Sequence, residues 1–358
     1  MSKFLDDRFQ SLEEYVPGEQ PKDTVYTKLN TNESPYPPGP ATIKAVCGQK
    51  GAEDLRLYSD PDSTALKDAI AKRYEVKRQN VFVSNGSDDI LNFAFMAFAQ
   101  NGAVFPEISY GFYEVFAALH HVKYEKIPLI QGFNINPENY WHKNKLIVIA
   151  NPNAPTGRTI SQKSISDIAM SNPESVVLID EAYIDFGGST AAAQTKIYKN
   201  LLVVQTFSKS RSLAGARLGF AIGSRELIGD LEKIKYSTNP YNVNRITAAA
   251  GVAALSEDDY YQANCKKIMR TREQTVVALE KLGFEVIHSM ANFIFVRSED
   301  IDGEELYEKL KEKKILIRHF DNPAIKQYNR ITIGTPEEME ILLAAVRELV
   351  SAADSGEE

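Results

Sequence analysis

Three stretches of this chain set chemistry-bearing side chains directly after a run of apolar residues. In Ser175-Val-Val-Leu-Ile-Asp180-Glu181-Ala182-Tyr183 the run ends in acid; in Val203-Val-Gln-Thr-Phe-Ser208-Lys209 it ends in a lysine, with Arg217 following. In Val81-Phe-Val-Ser-Asn-Gly86-Ser87-Asp88 it ends in a small polar turn before a second apolar stretch, Ile90 to Ala99. A lysine held at a strand end inside a cleft can lose its proton and form a Schiff base, although most lysines are merely solvated. A polar turn that opens a helix offers backbone amides, and here the Ser87 hydroxyl, to an anion such as phosphate. It reads equally well as an ordinary helix cap. Asp180 either serves a cation or closes the strand.

Two further turns matter. Ala150-Asn-Pro-Asn153-Ala154-Pro155-Thr156-Gly157 is a tight Pro/Gly turn with two asparagines, and Arg330-Ile-Thr-Ile-Gly opens a late strand with an arginine. That arginine is either a fork for a substrate anion or a surface charge. The acid after residues 175–179 also fits the magnesium-binding strand of a P-loop ATPase, but no Gly-x-x-x-x-Gly-Lys-Ser/Thr accompanies it. No Gly-x-Gly-x-x-Gly marks a dinucleotide fold either.

The elements that must position these groups follow from the apolar rhythm. Runs at Val81, Leu146, Val176, Leu201 and Leu218, separated by amphipathic stretches, predict a mostly parallel, doubly covered sheet and an α/β domain over residues 40–242. Ligands of such sheets bind beyond the carboxyl ends of the strands, where the four motifs other than Arg330 fall. From residue 243 to 358 the pattern changes to one long helical stretch, Asn244 to Leu282, then short strands and helices, which predicts a smaller α+β domain. Ser34-Pro-Tyr-Pro-Pro-Gly-Pro excludes an interior strand or helix, so residues 1–39 are expected to form an extended arm packed with the small domain. The last six residues read as a frayed acidic tail.

Composition narrows the function. The 358 residues, 43% hydrophobic and 25% charged, are those of an ordinary globular chain. A net charge of −7 with no basic cluster argues against nucleic acid. Two cysteines without metal or redox spacing suggest free thiols in a reducing compartment, and hence a cytoplasmic protein. The acidic N-terminus and the absence of a long apolar run predict neither a signal peptide nor a membrane span. The five histidines show no His-x-x-x-His spacing, so no metal is expected.

Jointly, a Schiff-base lysine, an acid and a phosphate cup are what pyridoxal phosphate needs. The spacing from Asp180-x-x-Tyr183 to Ser208-Lys209 and Arg217 resembles the fold type I pyridoxal phosphate (PLP) aminotransferases. Asn32-Glu-Ser-Pro-Tyr-Pro-Pro-Gly-Pro, Leu57-Tyr58-Ser-Asp-Pro, Asn85-Gly-Ser-Asp-Asp, Phe207-Ser-Lys, Asn239-Pro-Tyr-Asn-Val-Asn, Ala291-Asn-Phe-Ile-Phe-Val-Arg and Arg330-Ile-Thr-Ile-Gly resemble the histidinol-phosphate aminotransferase family in particular, over residues 12 to 348.

The resemblance implies that Lys209 bears the cofactor and moves the substrate proton, that Asp180 keeps the pyridine nitrogen protonated, and that Tyr183 donates to the ring hydroxyl oxygen. Tyr110 and Ala182 would cover the two ring faces. Gly86, Ser87, Asp88, Ser208 and Arg217 would hold the phosphate, joined by Tyr58 of a neighbouring subunit in a homodimer with shared active sites. Where the family places an asparagine before Pro-Thr-Gly this chain has Ala154, and Asn153 is the expected replacement. Arg330 would bind the substrate carboxylate and phosphate in turn, with Arg318 and Tyr15 as further phosphate contacts. The reaction implied is transfer of the glutamate amino group to imidazole-acetol phosphate. Aromatic amino-acid aminotransferases and threonine-phosphate decarboxylases are the neighbouring activities.

Overall fold

Apolar runs of four to six residues are too short for buried helices and become strands here. A computed structural model describes residues 2–10, 12–22, 24–48 and 53–355. In chain order the strands are β1 (Thr27–Lys28), β2 (Val81–Ser84), β3 (Ala103–Pro106), β4 (Tyr124–Ile127), β5 (Leu146–Ala150), β6 (Val177–Asp180), β7 (Leu201–Thr206), β8 (Gly219–Ile222), β9 (Phe284–Ile287), β10 (Phe293–Ser298), β11 (Ile315–Leu316) and β12 (Asn329–Thr332).

Seven of them form one sheet in the order β2-β8-β7-β6-β5-β3-β4. Pairing is parallel from β7 to β4, while β8 runs antiparallel to both its neighbours. Every residue of β2, β5, β6, β7 and β8 is buried, because both faces are covered. Val148, Leu178 and Val204 pack with the helices Ser87–Phe98 and Arg225–Thr238 on one face. Ile149, Ile179 and Val203 pack with Gln162–Ser171 on the other. This is the mostly parallel mixed α/β sheet expected of fold type I.

The register places the motifs side by side. Ala150 pairs with Asp180, and Thr206 and Ser84 both face Gly219. The carboxyl ends of β2, β5, β6 and β7 therefore share one edge. The turn after Ala150, the acid Asp180, the Ser208-Lys209 pair and the Gly86 turn all leave from it.

Beyond this sheet, β12, β10 and β9 make an antiparallel three-stranded sheet, and the N-terminal segment adds β1 in parallel to β11. The arm is thus partly strand: Leu29 N–H donates to Leu316 O, and Thr332 N–H donates to Leu29 O. Strands β3 and β4 lay outside the apolar runs singled out in the sequence. The first is short and ends in proline; the second alternates exposed and buried residues, as an edge strand does.

The helical stretch expected from Asn244 to Leu282 is two helices, Arg245–Ser256 and Asp258–Glu280. At the break, the Glu257 carboxylate accepts from the Ala41 and Thr42 amides at 2.7 and 3.0 Å, capping the helix Pro40–Cys47. The end of the acidic tail, residues 356–358, lies outside the described residues. No helix among the described residues is long and apolar enough to cross a membrane.

Candidate active site

At the common edge Asp180 ends β6 and is buried. Its Oδ2 accepts from the Tyr113 hydroxyl at 2.8 Å and its Oδ1 from the Ala182 amide at 3.2 Å. Burial pushes its carboxyl up to about 6, against the pull of the Tyr113 hydrogen bond. A carboxylate in this setting gains most from a cationic partner, since its charge is otherwise poorly solvated.

Lys209 stands three residues beyond the end of β7, half-buried, with Nζ donating to Thr31 O at 3.0 Å and lying 5.8 Å from the centre of the Tyr183 ring. Burial, and then the nearby Arg330 guanidinium, lower its pKa to about 8, while Glu33 and Asp88 oppose the shift. About a tenth of it is then neutral at pH 7, far more than for a solvated lysine, which makes it a competent nucleophile and proton carrier.

The turn after β2 is built for a close approach. Gly86 has φ +92° and caps the helix Ser87–Phe98 without a side-chain hydrogen bond, leaving the helix-start amides free of a side-chain cap. A Cβ on Gly219 would lie 2.5 Å from Gly86 C and Ser87 N, so that glycine lets β8 pass directly beneath the turn. Arg217, in the left-handed region at φ 53°, donates from Nη2 to Asp88 Oδ2 at 2.8 Å. The Tyr110 hydroxyl donates to Asp88 Oδ1 at 2.9 Å. Ser208 is buried, its Oγ accepting from the Thr206 hydroxyl at 2.9 Å. Gly86, Ser87, Asp88, Tyr110 and Arg217 are therefore one connected group.

In the turn after β5, the Asn153 amide is engaged by the turn itself. Its Nδ2 donates to Ile108 O and Thr156 Oγ1, each at 3.0 Å, and its Oδ1 accepts from Ser109 Oγ at 3.0 Å. Ala154 packs with Ala291 and Phe293, against which the Tyr183 ring also lies. Phe293 meets that ring edge-on with centroids 5.0 Å apart. The Tyr183 oxygen accepts from Asn32 Nδ2 at 3.1 Å. Burial raises the Tyr183 pKa, with Arg330 and Asn32 opposing. Ala182, between Asp180 and Tyr183, is partly buried.

The arginines arrive from the C-terminal strands and meet the arm. Arg330 on β12 and Arg318 exchange backbone hydrogen bonds at 2.9 and 3.0 Å. Arg330 Nη2 donates to Asn30 O at 2.9 Å, its guanidinium lies over Phe293 and Phe320, and its Nε is buried without a partner. Arg318 donates to the carbonyls of Val16 and Pro17. Tyr15 stacks on Phe112 at 4.1 Å and stands edge-on to Tyr110 at 6.2 Å. Burial raises its pKa against the nearby charges of Arg318 and Arg330. Tyr58 stands apart: 77% exposed, it stacks on Tyr241 with centroids 4.6 Å apart.

Three residues at the site were not anticipated. Thr31 and Asn32 come from the arm, whose local sequence carries no sign of where it docks. Tyr113 reads as one more apolar position of the helix Phe112–Leu119. No helical spacing marks it, because Tyr110 precedes the helix and its cap Gly111.

Known proteins place this geometry in a family. The sequence pattern of "Aminotransferase class I and II" matches residues 24–346. A histidinol-phosphate aminotransferase of Brachyspira hyodysenteriae is 48% identical over 98% of this chain and 99% of its own length. Histidinol-phosphate aminotransferase 1 of Hydrogenovibrio crunogenus is 47% identical over 99% of this chain and 100% of its own. Among solved structures, the histidinol-phosphate aminotransferase of Sinorhizobium meliloti in complex with pyridoxal-5'-phosphate superposes with a TM-score of 0.87. It covers 98% of this chain and 100% of that one at 24% identity, a likeness of fold. By the extent of these matches, the chain belongs to the class I and II aminotransferase family.

Proposed function

We propose that this chain is a pyridoxal phosphate-dependent aminotransferase that moves the amino group of L-glutamate to imidazole-acetol phosphate, giving 2-oxoglutarate and L-histidinol phosphate. The observation that carries this reading is one sheet edge at which Lys209, with its lowered basicity, buried Asp180 and the glycine-built turn at Gly86 stand together. Arg330, on β12 of the three-stranded sheet, lies near enough for its charge to act on Lys209, and its Nε is buried and unpartnered.

The residues fit the cofactor. The turn at Gly86 leaves amides for a phosphate where a Cβ on Gly219 would collide, Asp180 has no cationic partner among the described residues, and Lys209 is a partly neutral amine. Gly86, Ser87, Asp88, Ser208 and Arg217 would hold the phosphate, Asp180 the pyridine nitrogen and Tyr183 the ring oxygen, with Tyr110 and Ala182 beside the ring. Asn153 supports this pocket by bracing the turn that carries Ala154. Bound pyridoxal phosphate supplies a carbonyl for amine exchange and an electron sink for the substrate Cα.

Lys209 Nζ takes the proton from the substrate Cα, a task suited to an amine whose pKa lies near the working pH. Arg330 holds the substrate carboxylate or phosphate in its planar fork and sets the Cα in front of Lys209. Arg318 and Tyr15 add contacts for the phosphorylated substrate, whose larger charge needs more than one cation. The stacked, outward-facing pair Tyr58 and Tyr241 supports a homodimer in which Tyr58 reaches the phosphate of the neighbouring subunit. A cytoplasmic site of action agrees with the free thiols of Cys47 and Cys265.

The test is turnover of L-histidinol phosphate, L-phenylalanine and L-threonine phosphate, each with 2-oxoglutarate, by the cofactor-loaded protein. Glutamate formation fastest with histidinol phosphate supports the proposal. Preference for phenylalanine, or carbon dioxide release from threonine phosphate, moves the substrate assignment to a neighbouring activity.

A further inference from the structure

Asn32 lies in the arm, fully buried, with a left-handed backbone at φ 56° that asparagine tolerates better than most residues. Each of its polar groups is engaged. Its N–H donates to Thr332 Oγ1 at 2.9 Å, and its carbonyl accepts from Asn292 Nδ2 at 3.0 Å. The Thr332 hydroxyl, already accepting that N–H, gives its own hydrogen to Asn32 Oδ1 at 3.0 Å. In this arrangement the other end of the amide faces Tyr183, and Nδ2 donates to the phenol oxygen at 3.1 Å.

An amide nitrogen only donates, so the Tyr183 oxygen is the acceptor in this bond and its own hydrogen must point elsewhere. The ring's neighbours Ala154, Ala291 and Phe293 are apolar. Lys209 Nζ stands over the same ring, 5.8 Å from its centroid, so the phenol borders the space where a cofactor joined to Lys209 would lie.

We infer that Asn32 is a positioning residue that fixes Tyr183 as a hydrogen donor toward the ring oxygen of the cofactor, supplying through Tyr183 the amide that Ala154 lacks. The inference rests on the cofactor reading above. Donation to the ring oxygen draws charge from it and lowers the proton affinity of the lysine nitrogen attached nearby. Asn32 also stabilises the phenolate form of Tyr183, in the sense opposite to burial.

The experiment is a pH titration of the visible absorbance of protein loaded with pyridoxal phosphate, together with kcat and KM for glutamate. Asn32→Asp turns the donor into an acceptor, so the phenol hydrogen is drawn away from the cofactor. Asn32→Gly removes the amide and keeps the left-handed backbone, and Thr332→Val frees the amide to rotate should either variant fold poorly. Asn32→Asp and Asn32→Gly are expected to raise the absorbance midpoint by about one pH unit, the worth of one hydrogen bond, with kcat falling about tenfold and KM nearly constant. In a Tyr183→Phe background neither variant should move the midpoint further.

An unmoved midpoint in the single variants, or the same shift persisting in the Tyr183→Phe background, would overturn the inference and leave Asn32 an anchor of the arm. A wild-type protein that takes up no pyridoxal phosphate through Lys209 would remove the cofactor reading with it. Normal wild-type uptake with unmoved variants removes this inference alone.

Discussion

The Tyr113 hydroxyl donates to Asp180 Oδ2 across 2.8 Å, tying the first turn of the helix Phe112–Leu119 to the end of β6 with both side chains shut off from solvent. This bond lowers the pKa of a carboxyl that burial raises. Tyr113→Phe is therefore expected to push Asp180 further toward its neutral form. The acid limb of the kcat profile should move up by about one pH unit, and kcat at pH 7 should fall about twofold, with a loss of about tenfold reached only below about pH 5. An unchanged profile would mean that the bond is structural only.

The buried carboxyls give the cofactor-free protein a defined pH dependence. Asp180 is raised to about 6 and Glu181 to about 7, both by burial. A folded pKa above the unfolded one means stability that is present below about pH 4 and lost as pH rises through 6 to 7, by roughly 3 kcal/mol per group. Denaturant midpoints of Asp180→Asn and wild type, both without cofactor, should diverge in favour of the variant between pH 4 and pH 8. Parallel curves would contradict the burial argument.

Lys209 works with the opposite sign. Its pKa is depressed to about 8, so the charged form costs the fold stability below that pH, and the cost disappears above the ordinary lysine value. Lys209→Met in the cofactor-free protein should melt higher at pH 7, by about 1–3 kcal/mol, and by less at pH 10. The role proposed for Lys209 is thus set against stability, as is common at active sites.

The strand ends were legible in the sequence because buried parallel strands are continuous apolar runs, and the chemistry sits directly after them. Lys209, Asp180 and Gly86 were thus placed on one edge by local pattern alone. The arm was not legible in the same way. Asn32 meets Tyr183 across 151 residues of chain and Thr31 meets Lys209 across 178, contacts that no local periodicity encodes. Strand β4 escaped notice because Tyr124 and Lys126 face outward on the sheet edge. The break at Glu257 escaped because its carboxylate serves another helix, a tertiary use without a local signal.

Gly219 is the spatial key to the turn at Gly86. Gly219→Ala would put a methyl 2.5 Å from backbone atoms that cannot swing aside. The turn must open, and the affinity for pyridoxal phosphate should fall by about tenfold or more while the far-ultraviolet circular dichroism stays native. Titration of the cofactor-free variant checks this; unchanged affinity would place the phosphate elsewhere.

The two arginines should separate by substrate. Arg330→Ala is expected to raise KM about 100-fold for both glutamate and histidinol phosphate, the cost of about 3 kcal/mol for a charged hydrogen-bonded pair. Arg318→Ala should raise it for the phosphorylated substrate alone. Equal effects of Arg318→Ala on both would assign it to the shape of the arm, whose Val16 and Pro17 carbonyls it holds.

The most direct test follows the visible absorbance of the cofactor-loaded protein in a single half-reaction with L-histidinol phosphate, without an oxo acid. Fast, stoichiometric conversion to the amine form of the cofactor is expected in the wild type, and neither a lysine-linked band nor comparable conversion in Lys209→Ala. A lysine-linked band retained in Lys209→Ala, or a wild-type spectrum indifferent to histidinol phosphate, would contradict it.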